Sequence, residues 1–183
     1  TAYAISADGQ TIVGQGNSIN GFEAFRWNSG SMLGLGDLAG GLPSSAAYAL
    51  SADGSVIVGQ ANSASGAEAF RWTGGIMTGL GDLPGGAYNS SALAVSADGG
   101  TVVGFGTNAS GSVAMIWDAA NGMRALTDAI TSAGGVVPSG WVLQRANGIS
   151  SGGSVIVGTG IERSGRPQAW IAHLPRCYAN CDG

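Results

Sequence analysis

Asp8, Asp53 and Asp98 stand 45 residues apart, and each is followed by a glycine. Carboxylates repeated at a fixed interval would line one rim of a repeat array, where they could bind calcium or a sugar. Calcium takes six to eight oxygens, and each turn here offers a single carboxylate. Asp before Gly is also the ordinary composition of a tight turn, so a turn role is the simpler expectation. Asp37, Asp82 and Asp128 recur further along each copy, where an Asp at a strand end is expected to cap its own loop backbone. Glu23 with Arg26, and Glu68 with Arg71, could pair across repeats or line a groove. As exposed or inter-repeat salt bridges they would contribute little. Asp8, Asp53, Asp98, Glu23, Arg26, Glu68 and Arg71 are therefore the candidate binding residues.

Other chemistries find fewer parts. Nucleophile-plus-base catalysis needs a base beside a Ser, Cys or Lys, and the one histidine, His173, lies two residues before a proline near the end of the chain. Glycoside hydrolysis needs only two carboxylates, roughly 5 to 9.5 Å apart in an open pocket, so residue count alone does not remove it. One His and a terminal Cys pair fall short of a four-ligand zinc set. Gly34-Leu35-Gly36 has no helix after it, which removes a phosphate cradle. No catalytic residue, metal site or cofactor is expected.

The elements that must position these residues repeat as well. Ala4-Ile5-Ser6-Ala7-Asp8-Gly9 returns at Ala49 to Gly54 and at Ala94 to Gly99, with Gly148 to Gly153 as a fourth, looser copy. After each comes a β-branched run, such as Thr11-Ile12-Val13-Gly14 or Val56-Ile57-Val58-Gly59, and the Asp-Gly between the two strands predicts a hairpin. A third strand carries the aromatics: Glu23-Ala24-Phe25-Arg26-Trp27, Glu68-Ala69-Phe70-Arg71-Trp72, Val113 to Trp117 and Gln168 to Ile171. Alternation puts the large residues on one face and the Arg or its replacement on the other, as in a half-buried strand. A fourth segment runs from Met32 to Leu38 and from Met77 to Leu83, and more loosely from Met123 to Ala129.

Four short antiparallel strands in 40 to 50 residues predict an all-β array of propeller-like blades, about four in number. A stacked, non-closed array is the second possibility. If Met32 and its equivalents open each blade, the chain supplies three strands and then four, four and four, leaving one position empty. Leu126, Ala129, Ile130 and Ala133 fall at helical spacing in an insertion before the last copy, and Gly134-Gly135 and Pro138 end it. One short helix is expected there, with Trp141 covering the junction.

Composition bounds the rest. Apolar residues make up 44% of the chain and charged residues 10%. Such a chain should fold as one repeat domain over 1–176, with copies at about 1–45, 46–90, 91–145 and 146–174. All seven basic residues are Arg and the net charge is -4, which leaves no patch for phosphates and no nucleic-acid partner. No run reaches the roughly 18 apolar residues of a membrane span, and the chain opens inside a repeat, so any export signal is expected to have been removed or to lie outside this sequence. Cys177 and Cys181, in a tail over 177–183, could close a local disulfide or stay reduced; an extracellular setting selects the disulfide.

Ile-Ser-Ala-Asp-Gly, Ile-Val-Gly-Gln, Glu-Ala-Phe-Arg-Trp and Gly-Leu-Gly-Asp-Leu, taken together over residues 3 to 174, resemble the HAF-type extracellular repeat family of secreted bacterial proteins. Glu23 and Glu68 stand where the family name would put His. The resemblance implies export to the medium or cell surface and a propeller-like array, and it transfers no site residue. The expected function is an extracellular, non-catalytic module for binding or structural assembly, with itself, another extracellular protein or a glycan as partner. Strand pairing at an open edge would build a layer or filament. The alternative is a carbohydrate-binding or glycoside hydrolase-like propeller.

Overall fold

A computed structural model describes residues 1–19 and 21–174. Its strands are β1 (Ala2–Ile5), β2 (Thr11–Ser18), β3 (Gly21–Asn28), β4 (Ser31–Gly34), β5 (Gly40–Leu50), β6 (Val56–Ser63), β7 (Gly66–Thr73) and β8 (Ile76–Gly79). They continue as β9 (Ser91–Val95), β10 (Thr101–Asn108), β11 (Gly111–Asp118) and β12 (Gly122–Ala125). Helix α1 (Leu126–Ser132) follows, then β13 (Val142–Ile149), β14 (Val155–Ile161) and β15 (Pro167–His173). The protein is all-β with one short helix. Cys177 and Cys181 lie outside the described residues.

Strands β1 to β8 form one eight-stranded sheet, β9 to β12 a four-stranded one and β13 to β15 a three-stranded one. Inside the large sheet, the antiparallel meanders β1-β2-β3-β4 and β5-β6-β7-β8 meet at a single parallel bridge, Phe22 to Ser44. Because β4 pairs with β3 and β8 with β7, the Met-Leu-Gly segment closes the meander it follows. Among the described residues the strand count therefore runs four, four, four and three, not three first, and the last sheet is the short one.

Each of the first three repeats sets its hairpin turn with Ser-Ala-Asp-Gly. In the second turn, Gly54 sits at φ +67°, which an L side chain rarely adopts. An added Cβ there would also press on Thr11 of the preceding meander. Glycine is needed twice over, for the turn and for close packing. Gly59 has a different reason. The β5–β6 ladder carries a bulge between Ala47 and Ala49, where the bulged strand bends toward its partner. A Cβ on Gly59 would overlap the Ala46 carbonyl oxygen and the Phe70 ring.

The cores lie between meanders. Val13 and Ala24 of the first meander pack with Ile57, Phe70 and Trp72 of the second. Val58 and Ala69 of the second pack with Val102 and Met115 of the third, and Val103, Ala114 and Ile116 of the third with Ile156 of the last sheet. The third strand is therefore not half-buried in the interior of the array. Its Ala face is flat enough to receive the aromatic face of the next meander, so both faces leave water. The last joint also takes in Leu126, Ala129 and Ile130 of α1, the predicted apolar stripe, with Trp141 packed against them. Ala133 caps the helix end and Gly134 follows at φ +80°.

Candidate functional site

The recurrent aspartates come together on a chain of linked turns. Asp8 Oδ1 accepts from the Ser6 hydroxyl at 2.6 Å and the Gln10 amide at 2.9 Å. Asp53 Oδ1 accepts from the Ser51 hydroxyl at 2.6 Å, the Ser55 amide at 3.0 Å and the Ser55 hydroxyl at 2.8 Å. Asp98 Oδ1 accepts from the Ser96 hydroxyl at 2.5 Å and the Gly100 amide at 2.9 Å. The same serine oxygens accept the amides of Thr11, Val56 and Thr101, which closes each turn. In the fourth copy Ser150 still accepts the Val155 amide, but Gly152 stands where the carboxylate would be.

Successive turns are joined by backbone hydrogen bonds. Ala7 donates to the Ala52 carbonyl, Ala52 to Ala97 and Ala97 to Ser151, each at 3.0 Å. Among the described residues the turns thus form an arc that does not close on itself. Hydroxyl donation holds the three carboxyls below the usual carboxylate range, with the Ser51 hydroxyl and the Ser55 amide bringing Asp53 down to about 2. Their charge is stabilised by their own turns. Among the described residues no three His, Cys, Asp or Glu side chains are placed to hold a metal ion.

Glu23 and Arg26 do not pair, nor do Glu68 and Arg71, because residues three apart on a strand face opposite ways. Glu23 Oε1 lies over Gly34 and accepts the Gly36 amide at 3.0 Å; Glu68 lies over Gly79 and accepts the Gly81 amide at 3.0 Å. The Nε atoms of Arg26 and Arg71 are buried without a hydrogen-bond partner. The ion pair found among the described residues is Arg124 to Asp118 at 2.7 Å. The other aspartates diverge. Asp82 accepts the Asn89 amide at 2.7 Å and, from the next meander, the Thr107 amide at 3.3 Å. Asp37 keeps a buried oxygen unpartnered, and Asp128 falls in the first turn of α1.

Several structural residues were not singled out by sequence reasoning. Ser45 and Ser90 are buried hydroxyls that stitch one meander to the next. Ser45 accepts the Ala24 amide at 3.0 Å and donates to the Gly36 carbonyl at 2.7 Å, while Ser90 does the same for Ala69 and Gly81 at 3.0 and 2.6 Å. Gln15 and Gln60 reach across to the same serines, donating to their carbonyls. The 45-residue recurrence of each pair was the available signal. Tyr3 and Tyr48 meet edge to face with ring centroids 5.5 Å apart. Arg145 lies 4.5 Å over the Phe105 ring, a cation on the negative face of an aromatic. Burial, then Tyr3, push the Tyr48 hydroxyl up, partly offset by the charge of Arg145.

Two concavities open on the last sheet, of about 390 and 480 Å³. The first includes Ile130, Trp141, Trp170 and His173, and the second Asn147, Val157 and Trp170; neither has an Asp or Glu in its wall. The Nε1 of Trp170 is buried without an acceptor.

The fold is similar to that of TolB β-propeller domains. TolB from Acinetobacter baumannii superposes with a TM-score of 0.66 at 13% identity, over 95% of this chain and 41% of that one. A putative TolB from Agrobacterium tumefaciens gives 0.60 at 12%, over 94% of this chain and 73% of that one. The chain thus spans about two fifths of the Acinetobacter protein's length. No family model matches the sequence, and comparison with curated proteins gives no match. Among the described residues no helix is long and apolar enough to cross a membrane.

Proposed function

We propose that this chain is a secreted, non-catalytic repeat module, a propeller-like array of about four antiparallel units, each nominally four-stranded, that works by binding or by structural assembly outside the cell. One observation carries the reading. The recurrent carboxylates Asp8, Asp53, Asp98, Glu23 and Glu68 are all engaged as acceptors for loop backbone of their own repeat. Groups held this way serve the scaffold, and the concavities of the last sheet have no carboxylate pair for glycoside chemistry. The likeness to HAF-type repeats supports export. Assembly has an evident place to start, because β15 has no fourth strand beside it among the described residues, and an open edge can accept one.

The test is fractionation of the producing cells, together with incubation of the purified chain with a panel of polysaccharides. The chain should be recovered at the surface or in the medium and should release no sugar. Retention inside the cell would overturn export, and glycoside turnover lost on Glu68→Gln would overturn the non-catalytic reading.

A further inference from the structure

Arg26 and Arg71 occupy one position in successive repeats, and that position faces the inside of a joint. Arg26 stands opposite Val13 in the β2–β3 ladder and Arg71 opposite Val58 in the β6–β7 ladder, and both valines are fully buried in the cores between meanders. Residues directly opposite on neighbouring strands share a face. Arg26 therefore looks into the first joint and Arg71 into the second, each bounded on both sides by described strands. In the third joint the same place, opposite Val103, is taken by Ile116, which is 3% exposed and packed in the core. The joint accepts an apolar residue there, so packing alone does not call for arginine.

Neither arginine is answered by the protein. Both are half-buried, and among the described residues neither makes a hydrogen bond or an ion pair, whereas Arg124 has Asp118 and Arg145 has the Phe105 ring. The Nε of each is closed off from solvent without an acceptor. The terminal nitrogens are equally without partners but are not closed off, so they meet solvent. Leu33 and Thr78, the exposed neighbours of the two arginines in β4 and β8, mark the side of the joint that is open. A cation drawn partly out of water and left unpaired costs stability, and a fold keeps such a group where it serves a site.

We propose that Arg26 and Arg71 bind the carboxylates of an acidic glycan, one uronate at each joint, with the terminal guanidinium nitrogens donating to the carboxylate oxygens. The planar guanidinium matches a planar carboxylate. The ligand is a glycan because the two cations recur at one position of successive repeats, and a polymer of repeating sugars offers its charge at intervals as the repeats offer theirs. Its charge is also sparse. The chain carries a net charge of -4, and Asp8 and Asp53 lie in the turns that lead into β2 and β6, so a densely charged polyanion such as nucleic acid is repelled. Those aspartates do not compete for the arginines, since the hydroxyls of Ser6 and Ser51 already donate to them. The inference deepens the binding reading above, on which it rests, by naming the class of ligand and the residues that hold it.

The experiment is calorimetric titration of the whole chain with polygalacturonate and with the same polymer after methyl esterification of its carboxyls. The chain should bind the acid form, less tightly as salt is added, and should not bind the ester. Arg26→Ile and Arg71→Ile should each weaken binding by about ten- to a hundredfold, while unfolding at or above the parent's temperature, as expected from Ile116 in the third joint. Arg71→Lys, which keeps the charge and loses the fork, should fall between. Arg163→Gln removes the same charge from an exposed position outside these joints and should leave the affinity unchanged. A parent chain that does not bind polygalacturonate would overturn the proposal, as would equal binding of the ester or of polyglutamate, or a loss in Arg163→Gln as large as in the joint variants. Isoleucine variants that unfold well below the parent would overturn it too, by making the arginines part of the packing. A chain recovered from the medium that ignores polygalacturonate would defeat this site while leaving the exported module standing, and one that binds through Arg26 and Arg71 yet is retained in the cytoplasm would do the reverse.

Discussion

The Ala52 amide donates to the Ala97 carbonyl across 3.0 Å, from one repeat to the next, at the residue just before each turn aspartate. That bond ties the geometry of each turn to its neighbour's, so whatever shapes one turn is felt at the joint. The serine two residues before each aspartate does most of the shaping.

Ser51→Ala should lower stability by about 1 to 3 kcal/mol, because the Val56 amide is buried and loses its acceptor while Asp53 loses a donor. Ser150→Ala should cost less, since Gly152 supplies no carboxylate to that turn. Urea unfolding of both variants decides it, and equal losses would show that the carboxylate adds nothing.

Acid should weaken the array through the same turns. The folded-state pKa values of Asp8, Asp53 and Asp98 are lowered below the unfolded value of about 3.9, so their contribution is present above that pH. It fades as pH falls toward about 2, the value for Asp53. The denaturation midpoint should fall over this window, and less steeply in Asp53→Asn, which has no proton to take up there. Parallel profiles for the two proteins would contradict the assignment.

Glu68 should behave as an acceptor and not as a charge. Glu68→Gln keeps an oxygen for the Gly81 amide and should leave stability nearly unchanged. Glu68→Ala removes the acceptor and should cost about 1 kcal/mol. A large loss in the Gln variant by thermal unfolding would argue for a charge partner instead.

Gly59→Ala should destabilise by about 1 to 3 kcal/mol or prevent folding, because the bulged partner strand and the Phe70 ring occupy the space a methyl needs. Calorimetry of the variant against Gly16→Ala, where the nearest ring atom would be 3.8 Å away, separates crowding from glycine content.

Much of this architecture is legible in the residues. The Asp-Gly turns, the β-branched second strand, the aromatic third strand and the apolar stripe of α1 are local patterns, and local patterns can be read by spacing alone. The pairing of Met32 with its own meander was not legible, because a short strand can join either neighbour and only the ladder between Trp27 and Met32 decides. Glu23 and Arg26 misled for a different reason: opposite charges close in sequence suggest a pair, but strand parity sends them to opposite faces. Ser45 and Ser90 recur as regularly as the aspartates, yet a serine by itself carries no signal that its hydroxyl will be buried between sheets. Arg145 on Phe105 joins strands from different sheets, and nothing in either segment announces the other.

The first two joints use residues at the same offsets, with Ser45 at one boundary and Ser90 at the next, and at all three joints the turn amide donates forward. A gene that gains or loses one 45-residue block in such a chain creates no novel surface, since the incoming block meets neighbours shaped for it on both sides. Length can then drift by whole blocks under duplication and deletion while every surviving joint keeps its register.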